Sequence, residues 1–189
     1  MQECREMAPV SAELLPHPSC ACDAIRRFDA ALEFRSAPDE LRISFRIDGA
    51  IGRLRLPERG SALRTDGLWH HSCFEAFVRS NAGDSYHEFN FAPSGDWAAY
   101  RFASRREGRQ SPALPAPRTE VRRAVDVFEL NAAIAIAGIP DLAQAQVLQA
   151  GLAAVIEDQD AGLSYWSVAH PAAQPDFHDP GTFALRVAR

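Results

Sequence analysis

Side chains able to do chemistry crowd one stretch of the chain, Asp66-Gly-Leu-Trp-His-His-Ser-Cys-Phe-Glu-Ala-Phe-Val78. His70 and His71 raise a metal site, His71 with Cys73 a thiol nucleophile and its base, and Trp69 the wall of a pocket. Adjacent histidines on a strand point to opposite faces. Zinc needs its ligands on one side, and at least a third one, so His170 and His178 matter only if the fold delivers them. Cys73 as a nucleophile needs an oriented base and an oxyanion hole, whereas a small buried thiol is the simpler account. The pocket wall is the preferred reading.

The next segments alternate in a way that gathers polar groups. Cys73, Glu75, Phe77 and Arg79 share one face of a strand, and Phe74, Ala76 and Val78 the other. Tyr86, Glu88 and Asn90 share a face of the following strand. A hairpin is expected to set Glu75, Glu88, Asn90 and Arg101 side by side. Carboxylates and an amide beside tryptophan suit a sugar, whose ring stacks while its hydroxyls are bound. A solvated sheet face with an ordinary ion pair explains the same pattern without function. Facing carboxylates also raise glycoside hydrolysis, which depends on a separation that sequence does not supply.

Near the C-terminus, Tyr165 and Trp166 point oppositely, so one of them enters the core. Pro171, Pro175 and Pro180 stiffen the segment that follows. That loop either presents Asp176 and His178 to a ligand or covers a sheet end, with Phe177 as a plug.

The elements that must hold these residues read as strands. Leu41, Ile43, Phe45 and Ile47 alternate with Arg42, Ser44 and Arg46. Ala31 to Phe34, Ser72 to Arg79, Tyr86 to Phe91, Trp97 to Phe102, Val125 to Ile136, Val147 to Glu157, Leu163 to Val168 and Phe183 to Val187 follow, with a weaker strand at Gly52 to Leu56. Residues 104 to 118 read as a long surface loop, and Asp141 to Gln146 as one helical turn. About ten strands predict an all-β antiparallel sandwich, immunoglobulin-like or jelly-roll-like, with long loops. Residues 1–24 are expected to form an extension without a fixed strand, and 25–189 a single domain.

Composition excludes several classes. The chain has 189 residues and a net charge of -5, which gives no bulk attraction for nucleic acid or anionic membrane. All 20 basic residues are arginine, so no lysine serves as Schiff-base former. No run reaches the ~20 apolar residues of a membrane helix, and the polar start Met1-Gln-Glu-Cys-Arg-Glu is not a secretory signal, so a cytoplasmic location is expected. Four cysteines, three of them before residue 23, make no disulfide framework.

Taken together, the 66–78 stretch, Tyr86-His-Glu-Phe-Asn-Phe-Ala-Pro-Ser-Gly-Asp-Trp-Ala-Ala-Tyr-Arg-Phe102 and Gly162-Leu-Ser-Tyr-Trp-Ser-Val-Ala-His-Pro-Ala-Ala-Gln-Pro-Asp-Phe-His-Asp-Pro-Gly-Thr-Phe-Ala-Leu185 resemble bacterial DOMON-like proteins. These are similar to family 9 carbohydrate-binding modules and to sugar- or haem-binding DOMON domains, and the likeness runs from about Phe34 to Val187. It implies a sandwich with a ligand site on one sheet. Two tryptophans that clamp a sugar ring would be Trp69 and Trp166. Asp66 and Glu75 stand where polar contacts or calcium ligands are expected. Met1 and Met7 lie outside the matched region, which argues against a Met–His haem site and leaves a bis-His one open. The expected function is non-catalytic binding of a saccharide or sugar-derived metabolite, with Arg101 neutralising the carboxylates or holding an anionic substituent. The alternatives are an enzyme using paired glutamates and a protein-interaction module. Oligomeric state is not readable.

Overall fold

The computed structural model describes residues 8–20, 22–36, 38–81 and 83–188. Twelve strands stand among them: β1 Val10–Glu13, β2 Leu15–Pro16, β3 Ile25–Ser36, β4 Asp39–Gly49, β5 Cys73–Ser80, β6 Tyr86–Phe91, β7 Trp97–Phe102, β8 Arg118–Arg123, β9 Val127–Ala135, β10 Val147–Asp158, β11 Gly162–Ser167 and β12 Leu185–Ala188. They form two antiparallel sheets. One runs β1-β3-β4-β9-β8; the other runs β2-β11-β10-β5-β6-β7, with β12 also paired to β10. The expected sandwich is therefore present.

The alternation read at Leu41 to Ile47 explains the packing. Leu41, Ile43, Phe45 and Ile47 of β4 turn inward with Phe28 and Leu32 of β3 and Phe128 and Leu130 of β9. Phe74, Ala76 and Val78 of β5 and Leu152, Ala154 and Ile156 of β10 meet them from the second sheet. Phe74 lies at the junction. Its ring stacks on Phe128 at 5.4 Å and tilts against Phe45 at 5.2 Å, so both sheets lean on one side chain.

Three segments differ from expectation. Residues 10–16 are strands rather than a loose crossing: β1 pairs with β3, β2 with β11, and Leu14 between them is 1% exposed. Short polar strands at sheet edges carry little hydrophobic pattern, which is why this one escapes a periodicity reading. β8, Arg-Thr-Glu-Val-Arg-Arg, escapes for the same reason and is held by its ladder to β9. Conversely, Gly52 to Leu56 is no strand. Ile51–Arg53 makes a 3-10 turn, and only Leu54 bridges to Asp158. The helical turn falls at Pro140–Ala143. No helix among the described residues is long and apolar enough to cross a membrane.

Candidate functional site

The second sheet has an outward face that is not wet. Because side chains alternate, β5 turns Cys73, Glu75 and Phe77 to it, β6 Tyr86, Glu88 and Asn90, and β7 Ala98, Tyr100 and Phe102. β10 contributes Ala153 and Val155, and β11 contributes Leu163 and Tyr165. Three segments wall this floor. The first is the turn at Gly67, whose φ of 77° suits glycine and launches the 3-10 helix Leu68–His70. The second is the hairpin around Ser104–Glu107. The third is the loop from Pro171 to Phe183. Gly151 admits that loop, since a Cβ there would sit 2.8 Å from the Thr182 carbonyl oxygen.

The walls enclose a cleft of about 490 Å³. Trp69, Tyr100, Phe102, Tyr165 and Phe177 supply aromatic surface, and Glu75 and Glu88 lie at the base. Arg106, Arg109, His70 and His178 complete the lining. Trp69 meets Tyr100 edge-on at 5.9 Å, and the Arg109 guanidinium lies 5.1 Å from the centre of the Tyr100 ring.

The carboxylates are deeply set. Glu75 is 3% exposed and Glu88 4%. Glu88 Oε1 accepts a hydrogen bond from Asn90 Nδ2 at 2.7 Å, whereas Glu75 Oε1 has no partner at all. Burial, with Glu88 next in weight, holds the Glu75 carboxyl well above the usual range, and Arg106 only partly opposes this. Burial likewise pushes Glu88 up to about 7 against the pull of Asn90, Arg106 and Arg109.

His178 is fixed by a chain of hydrogen bonds. The Arg106 backbone N–H donates to the Tyr86 hydroxyl at 3.1 Å, and that hydroxyl lies 2.7 Å from His178 Nδ1. With the hydroxyl proton on that bond, Nε2 carries the ring's hydrogen, and it faces Glu88 Oε2 at 3.7 Å. Burial, then Arg106, lowers the His178 pKa to about 4, so the ring is neutral at pH 7. Asp176 sits behind it, bridging Arg105 at 2.6 Å and Arg106 at 2.8 Å, which locks the loop to the hairpin.

Of the residues singled out in the sequence, the cleft brings together Trp69, Glu75, Glu88 and His178, with Asn90 beneath them. Three do not join. Arg101 stands opposite His87, on the far face from Glu88; one residue of register gives Tyr100 that place instead. Trp166 is 5% exposed and packs on Phe28 at 5.6 Å inside the sandwich, so Tyr165 takes the cleft side of β11. Asp176 faces arginines rather than the cleft. Arg106 and Arg109 were hidden in a segment legible only as loop; two arginines flanking a tight glycine turn were the available signal.

The rival readings of the opening stretch also meet the geometry. His71 bonds Glu157 at 2.9 Å and leaves Cys73 without a base. Burial, then Glu75 and Glu88, keeps the Cys73 thiol protonated. No three His, Cys, Asp or Glu side chains among the described residues converge as metal ligands. Calcium, which takes six to eight oxygens, does not fit Asp66 with Glu75: Asp66 accepts from the Tyr100 hydroxyl, and its other oxygen faces Arg109. His178 is not placed as a haem ligand, since it turns Nδ1 to Tyr86 and Nε2 towards Glu88. Met1 and Met7 lie outside the described residues.

No protein-family model matches the sequence, nor does any curated protein. Among solved structures, a candidate carbohydrate-binding protein from Bacteroides uniformis is similar over 90% of this chain and 84% of its own, at 13% identity and a TM-score of 0.61. A family 9 carbohydrate-binding module from Caldicellulosiruptor kristjanssonii, solved with glucose, is similar over 94% of this chain and 83% of its own, at 12% identity and a TM-score of 0.51. At such identities the likeness is one of fold.

Proposed function

We propose that the cleft binds a small saccharide or sugar-derived metabolite and does not turn it over. The observation that carries this reading is the pairing of aromatic walls with a buried, unpartnered carboxylate oxygen on Glu75. A sugar offers both complements, an apolar ring face for Trp69 and hydroxyl donors for the glutamates. Glu88, steered by Asn90, accepts a second hydroxyl, and His178 Nε2–H donates to a ring or hydroxyl oxygen. The fold shared with a module solved with glucose supports the same class. The cleft volume suits a ligand of one or two rings.

Glu88, pushed up to about 7, has the pKa of a general acid, which favours the enzyme as a second reading. Glycoside cleavage, however, needs its two carboxyls on opposite sides of the bond. Glu75 and Glu88 rise from neighbouring strands of one floor. The exposed large hydrophobics Leu15, Leu63 and Val125 sit on separate segments, which gives little support to an apolar docking face.

Calorimetric titration with mono- and disaccharides tests the proposal. Binding is expected, and Trp69→Ala should weaken it about tenfold. Absence of binding across the sugars, or an indifferent Trp69→Ala, overturns it. Hydrolysis of an aryl glycoside that disappears in Glu88→Gln would install the enzyme instead.

A further inference from the structure

Resting on the reading above, we infer that the group seated against Glu75 and Glu88 is a protonated amine, so that the ligand class is an amino sugar. Charge pairing around the cleft leads there. Arg106 is neutralised by Asp176 at 2.8 Å. Arg109 lies over Tyr100, and the Asp66 carboxylate is 3.9 Å away. His178 is uncharged, with Nδ1 engaged by Tyr86. Cys73 and Tyr100 carry no charge at neutral pH. Among the described residues no arginine bonds Glu75 or Glu88 directly, although Arg106 acts on both from a distance and Arg109 on Glu88, and Asn90 gives Glu88 one amide donor.

A neutral hydroxyl satisfies the free Glu75 oxygen but does nothing to favour ionisation of the two buried carboxyls. An ammonium satisfies the oxygen and the charge together, with up to three N–H donors for Glu75 and Glu88. The walls suit it as well, because Trp69, Tyr100 and Tyr165 line the cleft, and the faces of such rings attract cations. Arg109 on Tyr100 is such a contact already made at the mouth.

The test compares glucosamine, glucose, N-acetylglucosamine and glucuronate on the full chain at about pH 6.5, below the ~7.7–8.0 of an ordinary α-amino group. Glucosamine should bind roughly ten- to a hundredfold more tightly than glucose. Titrations in buffers of different ionisation heat should record proton release with glucosamine and none with glucose, because an ammonium favours the ionised form of the buried carboxyls that burial keeps protonated. In Glu75→Gln the preference for glucosamine over glucose should collapse towards unity. Equal binding of glucose and glucosamine overturns the amine inference and leaves the saccharide reading standing, as does tightest binding of glucuronate. No binding by any of the four overturns both.

Discussion

Glu40 and Glu75 are both buried, at 2% and 3% exposure, and they differ in everything else. Glu40 belongs to the five-stranded sheet, where Arg42 bonds one oxygen at 2.7 Å and Arg118 the other at 2.6 Å. Burial pushes its carboxyl up, but the two guanidinium bonds outweigh that and leave it below the usual range. Glu75 has no such partner and is held high. The faces around them follow suit. Beside Glu40, a groove of about 400 Å³ is lined by Arg42, Arg118, Glu33 and Glu120, and nearby Arg46 bridges Asp48 and Glu129. The cleft is of similar size, yet its floor is aromatic, and among the described residues no arginine bonds its acids directly. The two hollows therefore differ less in size than in how their acids are met. Glu40 is met by two guanidinium groups, whereas no guanidinium among the described residues bonds Glu75.

That contrast can be broken or sharpened by measurement. The largest effect removes what both faces rest on: Phe74→Ala should cost about 3–5 kcal/mol in urea unfolding. Next comes pH. Glu88 has a folded pKa raised above its unfolded value, so its contribution is complete below about pH 4.5 and is lost as pH climbs to about 7. Stability should fall by about 3 kcal/mol across that window, and Glu88→Gln should flatten the profile. Glu40 runs the other way: its contribution is present at neutral pH and disappears as acid protonates it. The two glutamates should then answer the same substitution with opposite signs at pH 8. Glu40→Gln should lose about 1–3 kcal/mol, while Glu75→Gln should gain up to about 2 kcal/mol, since the amide removes an acid whose ionisation burial opposes. If both destabilise, the contrast fails. The smallest effect is at the rim of the five-stranded sheet, where Arg27→Ala breaks an exposed pair with Asp29 and should not move the urea midpoint measurably.

Sequence carried the floor better than the walls. Alternation along β5 and β6 places Glu75, Glu88 and Asn90 on one face because a strand has only two faces to choose from. It fails at Arg101, since the same alternation assigns that residue away from Tyr100 and only the β6–β7 register decides which of them meets Glu88. It fails again at Trp166. Two aromatic residues in a row say that one is inside, and the larger ring went to the core, where its Nε1 donates to Ser164 Oγ at 2.9 Å. Walls made by loops were less legible still. Arg106 and Arg109 reach the cleft through a hairpin closed by Ser104 and Glu107, a geometry with no periodic signature.

β10 lends one flank first to β12, over Val147 to Ala150, and then to β11, over Ala153 to Asp158. The loop between those partners leaves the sheet and returns to it across a gap of two residues on the same strand. Residues could be inserted or deleted there without disturbing any rung of either ladder. The length of a single overhang can thus change while the architecture beneath it stays as it is.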